Sequence, residues 1–195
     1  GRPSLLIFDL DGTLLDSRKD LATAVNLVRR DHDLPPLSVE TVVEAVGNGF
    51  EDLVARTFPK ASLNGSGTVR RVKDCYLQHM YDESNLYNGV DETLTRLREE
   101  GHTLSVLSNK AQEYTEKLLH YFNIDSHFRV IVGERDEFHL KPHPGAVKHI
   151  MAVTGATPAD TWMVGDNYTD LQAGERAGVR TCFCNYGFGK RRDCS

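Results

Sequence analysis

Short apolar runs and helix-period stripes divide this 195-residue chain unevenly. Leu5 to Phe8 is a run of strand length, and residues 103–107, 130–132, 161–164 and 180–183 repeat the pattern later in the chain. Each is short and bounded by turn residues, as expected for a buried strand. Helical spacing fills the intervals. Val90, Leu94 and Leu97 share a stripe that Asp91 is placed to cap and Gly101 to end. Tyr114, Leu118 and Tyr121 mark a helix over 111–122. Val147, Ile150 and Met151 mark one over 145–153, and a fourth runs over 169–177 and stops at Gly178. Strands and helices in strict alternation predict an α/β fold with a parallel sheet covered on both faces.

The rhythm fails between the first and second strands. Residues 16–87 hold no convincing strand but several apolar helical stripes. These are Leu21, Ala24, Val25 and Val28; Val39, Val42 and Val43; Leu53 and Val54; and Val69, Val72, Tyr76 and Met80. Pro35-Pro36, Gly47-Asn48-Gly49 and Asn64-Gly65-Ser66-Gly67 punctuate them. The stretch is too long for one crossover. It predicts an all-helical insertion, 16–87, in a core built from 1–15 and 88–195.

Composition narrows the function. The formal charge is -5, and the only basic run is Lys190-Arg191-Arg192, so no nucleic-acid footprint is expected. No apolar run approaches the roughly 18 residues needed to cross a bilayer. Nothing at the start of the sequence reads as a signal peptide. The four cysteines, Cys75, Cys182, Cys184 and Cys194, lack zinc-site spacing. They fit a reducing, cytoplasmic setting. His139 and His143 are four apart, but Pro142 and Pro144 argue against a helical two-histidine metal face.

The chemistry gathers where the strands run out. Asp9, Asp11 and Gly12 follow the first strand; Ser108, Asn109 and Lys110 follow the second; Lys141-Pro142 precedes the fourth; Gly165, Asp166, Asn167 and Asp170 follow it. Singly, these read as turns, helix caps and solvated charges. In an open parallel sheet, however, ligands bind beyond the carboxyl ends of the strands. There Asp9 and Asp166 supply hard oxygens suited to Mg²⁺. Lys141 and the Ser108 hydroxyl supply donors for a phosphoryl group. Asp9 is positioned as a nucleophile and Asp11 as an acid and then a base.

Four motifs in order carry a family resemblance: Asp9-Leu10-Asp11-Gly12-Thr13-Leu14, Ser108-Asn109, Lys141-Pro142, and Gly165-Asp166-Asn167-Tyr168-Thr169-Asp170. The chain resembles phosphatases of the haloacid dehalogenase superfamily along essentially its whole length. The resemblance implies a Rossmann-like sheet with a helical cap domain inserted after the first motif. It implies Mg²⁺ held by Asp9, the main-chain carbonyl of Asp11, and Asp166, with Asp170 and Asn167 in support. Phosphate binding by Gly12, Thr13, Ser108, Asn109 and Lys141 is implied too. An acid/base Asp at position 11, which the superfamily's dehalogenases lack, favours a phosphate ester.

Three further stretches resemble phosphoglycolate phosphatases: Asp16-Ser17 with Asp20 to Asn26, Val46 to Gly49 with Leu53-Val54, and Ser108-Asn109-Lys110. Asn185 to Gly189 resembles the segment after that family's last core strand. The expected substrate is therefore a small phosphorylated metabolite, 2-phosphoglycolate first, with Asn48 and Gly49 of the cap selecting it. A plain interhelical turn is the alternative reading of Gly47-Asn48-Gly49. Pyrophosphate, a sugar phosphate, a nucleotide or a phosphomutase reaction are the alternatives for the chemistry, and a non-catalytic binding module is the minor one. Whether the chain acts as monomer or homodimer is left open.

Overall fold

The computed structural model describes every residue except Ser66 and Ser195. Ser66, part of the expected turn at 64–67, thus lies outside the described residues. Two compact units divide the chain: Gly1–Asp16 with Leu86–Ser195, and Ser17–Asn85.

In chain order, strand β1 (Leu5–Phe8) opens the first unit. The second unit follows as α1 (Arg18–Asp31), α2 (Val39–Glu44), α3 (Phe50–Thr57) and α4 (Thr68–His79). The first unit resumes with α5 (Val90–Glu99), β2 (Thr103–Ala111), α6 (Gln112–Tyr121) and β3 (Phe128–Glu134). It ends with α7 (Gly145–Thr154), β4 (Thr161–Gly165), α8 (Tyr168–Arg176) and β5 (Arg180–Phe183).

The five strands form one parallel sheet in the order β3-β2-β1-β4-β5. The chain steps outward from β1 to β3 and then jumps to β4 on the other side of β1. The order therefore reverses at β1/β4, where α/β sheets open a crevice beyond the strand ends. Leu5 and Ile7 of β1 join Leu107, Val132 and Met163 on one face. There they pack with Ala146, Val147 and Ile150 of α7 and Ala173 of α8. Alternation turns Phe8, Leu104 and Val106 to the opposite face, where the Phe8 and Phe128 rings meet edge-on at 6.5 Å.

Three local details differ from the sequence expectation. Strand β2 runs on through Ser108, Asn109 and Lys110 to Ala111. Its ladder with β3 is irregular between Leu107 and Ala111, so these polar residues extend the strand and do not end it. Gly89, at φ 82°, holds the N-cap of α5, which leaves Asp91 in the first turn with its carboxylate against His127 at 2.7 Å. Tyr121 is 56% exposed although it shares a stripe with buried Tyr114 and Leu118. It is the last residue of α6.

The second unit builds its own core. Val25, Val28, Val42, Val54, Val72, Tyr76 and Met80 have no exposed surface. Phe50 of α3 meets Tyr76 of α4 at 5.3 Å. Arg29 is buried and donates to the carbonyls of Pro35 and Thr57, tying α1 to the connection before α2 and to the last residue of α3. Asp20, in the first turn of α1, accepts from the amides of Glu83 and Ser84 and from the Ser84 hydroxyl.

Candidate active site

β1 delivers its carboxylates through a tight loop. The amides of Thr13, Leu14 and Leu15 all point at the carbonyl of Leu10, at 3.2, 2.9 and 3.0 Å. Gly12 turns the loop at φ 84°. A Cβ there would overlap the Asp166 carboxylate, so glycine lets the loop press against the end of β4. Thr13 Oγ1 donates to Asp166 Oδ1 at 3.3 Å.

Carboxylate oxygens of Asp9, Asp166 and Asp170 lie within 4.8 Å of one another, and all three residues are buried. Lys141 Nζ donates to Asp9 Oδ1 at 3.1 Å, to Asp170 Oδ1 at 2.6 Å and to the carbonyl of Leu107 at 2.7 Å. All three ammonium protons are thereby engaged. Asn109 fixes the Lys141 backbone by a reciprocal pair: its amide group donates to the Lys141 carbonyl at 3.0 Å, and its Oδ1 accepts from the Lys141 amide at 2.9 Å. Asn167 caps α8 in a capping box, in which its own amide donates to Asp170 Oδ2 at 3.1 Å.

Three carboxylates share one ammonium, and the imbalance shows in their protonation. Burial, then the charges of Asp9 and Asp170, pushes the Asp166 carboxyl up to about 9. Burial, then Asp9, raises Asp170 to about 7 despite the pull of Lys141. Burial works against the Lys141 charge, yet Asp170 and Asp9 outweigh it and hold the ammonium above its ordinary range. Hard oxygens converging with surplus negative charge form a donor set that fits a small divalent cation, which would return both acids to carboxylates.

Across the same strand ends, Lys110 Nζ donates to Asp11 Oδ1 at 2.8 Å, with the lysine side chain 3% exposed. Ser108 and Lys110 stand two residues apart in the irregular end of β2. Ser108 Oγ accepts from the Lys110 amide at 3.0 Å, which uses a lone pair of the hydroxyl and not its proton.

The segment after β5 completes the arrangement. The amides of Phe188 and Gly189 donate to Asp166 Oδ2 at 3.2 and 2.8 Å, and the Tyr186 hydroxyl donates to the Thr13 carbonyl at 2.7 Å. Gly187 lies where a Cβ would overlap the Gly12 carbonyl and Asp166. The strand ends thus bring together Asp9, Asp11, Gly12, Thr13, Ser108, Asn109, Lys141, Asp166, Asn167 and Asp170. Asn48 and Gly49 belong to the second unit, where Gly49 caps α3 at φ 90°. Sequence reasoning assigned no part to Lys110 or to residues 186–189. The signal for Lys110 was its place two residues beyond Ser108 on a central strand. For 186–189 the signals were the resemblance of Asn185 to Gly189 to a family segment and the pair of glycines, which hinted at close packing.

The chain belongs to the haloacid dehalogenase-like hydrolases, whose family pattern matches residues 6–184. Among its relatives, a phosphoglycolate phosphatase of Pseudomonas putida is 35% identical over 97% of this chain and 72% of that protein. One from Aliivibrio fischeri is 34% identical over 94% of this chain and 85% of that protein. The crystal structure of a predicted phosphoglycolate phosphatase from Haemophilus somnus superposes with a TM-score of 0.91 at 30% identity, covering 98% of this chain and 89% of that one.

Proposed function

We propose that the protein is a Mg²⁺-dependent phosphomonoesterase that works through an aspartyl-phosphate on Asp9, with 2-phosphoglycolate as its substrate. The observation that carries the reading is the buried convergence of Asp9, Asp166 and Asp170 on Lys141 at the β1/β4 reversal. The names of the relatives support the choice of ester.

Asp9, Asp166 and the main-chain carbonyl of Asp11 would hold the cation, with Asp170 and Asn167 behind them. Bound there, it supplies Lewis-acid neutralisation of the phosphoryl oxygens. Lys141 orients the Asp9 carboxylate and offsets its charge, which would otherwise repel a phosphate dianion. Ser108, Asn109 and the Gly12-Thr13 turn seat the phosphoryl oxygens. Asp11 takes up a proton from solvent as substrate enters; an Asp9 oxygen then attacks phosphorus as the bond to the ester oxygen breaks, and Asp11 gives that proton to the leaving oxygen. Asp11, now a carboxylate, takes a proton from water. The water oxygen attacks phosphorus, the bond to Asp9 breaks, and phosphate leaves.

Phosphate release across a panel of small esters, with and without Mg²⁺, tests the reading. The expected result is Mg²⁺-dependent turnover with 2-phosphoglycolate leading in kcat/KM. Another ester or pyrophosphate ranking far above it would overturn the substrate, and turnover indifferent to divalent cations would overturn the metal.

A further inference from the structure

The Lys110–Asp11 ion pair has no part in that mechanism, and its position relative to the leaving group gives it one. Lys110 is firmly placed. Its amide donates to Ser108 Oγ, its carbonyl accepts from Thr115 Oγ1 at 3.3 Å, and its side chain is buried against Asp11. Asp11 serves the ester oxygen. Whatever comes within reach of Lys110 Nζ beside Asp11 is therefore the first few atoms of the leaving group. We infer that Lys110 is a specificity-determining residue that recognises an anionic carboxylate attached one carbon from the ester oxygen. This rests on the phosphomonoesterase reading above.

The chemistry is an exchange of partners. A buried ammonium is costly to leave without a counter-charge. Before substrate enters, the Asp11 carboxylate supplies that charge at 2.8 Å. A 2-phosphoglycolate-like ester brings its own carboxylate to the same place. Lys110 then pairs with the substrate while Asp11 turns to the ester oxygen, and the ammonium is matched in both states. An ester with a neutral leaving group offers no replacement, so Lys110 stays on Asp11 and competes with the leaving oxygen for it. Selection for the carboxylate is thereby built into the catalytic unit itself, on the strand that also carries Ser108.

The test uses two esters that differ in the carboxylate alone, 2-phosphoglycolate and 2-hydroxyethyl phosphate, with wild type, Lys110→Met and Lys110→Arg in the presence of Mg²⁺. Lys110→Met is expected to lower kcat/KM for 2-phosphoglycolate by ~100-fold more than for 2-hydroxyethyl phosphate, mostly through KM. Lys110→Arg, which keeps the charge, should retain part of the preference; it also serves as the reporting variant if the Met protein does not fold. Equal losses on the two esters would overturn the inference, because they mean that Lys110 only orients Asp11. A preference that survives unchanged in both variants would overturn it as well. A wild type with no preference for 2-phosphoglycolate would instead fail the substrate reading, and this inference with it.

Discussion

Asp20 and Asp170 are both fully buried acids in the first turn of a helix, one in each unit, and their surroundings are opposite. Asp20 meets donors only: two amides and a hydroxyl that close the loop at Glu83 and Ser84 onto α1. Asp170 meets the Asn167 amide and the Lys141 ammonium, but also two other carboxylates within 4.8 Å. A buried carboxylate whose lone pairs are met by N–H and O–H groups holds a fold together. Buried carboxylates crowded by their own kind are retained at a cost to stability, which is the mark of a site built for something else. The contrast separates the acids of this chain by role better than burial does.

The largest expected effect is on the crowded side. Asp9→Asn should lower turnover by at least ~10⁴-fold while the protein still melts cooperatively, because the nucleophile is gone and the surplus charge is reduced. Full activity in the purified variant would remove Asp9 from the mechanism. Gly187→Ala pushes a methyl at the Gly12 carbonyl and Asp166, and should weaken both turnover and Mg²⁺ affinity by ~10- to 100-fold. Isothermal titration with Mg²⁺ reads the second quantity without substrate.

The comparison itself breaks if Asp170 and Asp20 respond alike. Asp170→Asn should cut activity by ~10- to 100-fold yet move the stability of the metal-free protein by less than ~1 kcal/mol, since lost bonds are offset by lost repulsion. Asp20→Asn should cost ~2–3 kcal/mol in denaturant unfolding, because one acceptor becomes an amide facing N–H donors. Its kcat well below the melting temperature should be unchanged.

A pH trend follows from the same crowding. Asp166 and Asp170 titrate near 9 and 7 in the fold, above the usual carboxylate range. The native state therefore binds more protons than the unfolded state between about pH 4 and 9, and stability falls as pH rises through that window. Melting of the metal-free protein should drop from pH 6 to pH 9. The Mg²⁺-induced rise in Tm should grow over the same range, as fewer protons must be displaced. A metal-free melting temperature that climbs with pH would contradict the crowding.

The parallel sheet was legible because its strands contain local apolar runs, and β1 and β5 coincide with the segments that marked them. The expectation of burial fails at β5, an edge strand of sequence Arg180-Thr181-Cys182-Phe183 in which no residue is buried. The alternation with helices then gave the fold class. What escaped has a common physical cause. Ser108, Asn109 and Lys110 look like a loop by polarity, but sheet pairing at Ala111–Glu134 keeps the strand going. Tyr121 obeys the helical period, but the helix ends there and leaves it exposed. The Lys110–Asp11 pair spans 99 residues and the Phe188–Asp166 bond joins a loop amide to a carboxylate, so neither leaves a periodic trace. Motif spacing marked out the acids and Lys141. Only the fold showed which acids crowd each other and which hold donors.

The central claim is a covalent phosphoryl group on Asp9, and the stereochemical course at phosphorus tests it most directly. Two successive in-line displacements, by Asp9 and then by water, each invert the centre. Hydrolysis of an ester made chiral at phosphorus with oxygen isotopes and sulfur should therefore give product with net retention. Net inversion would mean that water attacks the ester in one step, and would contradict the account.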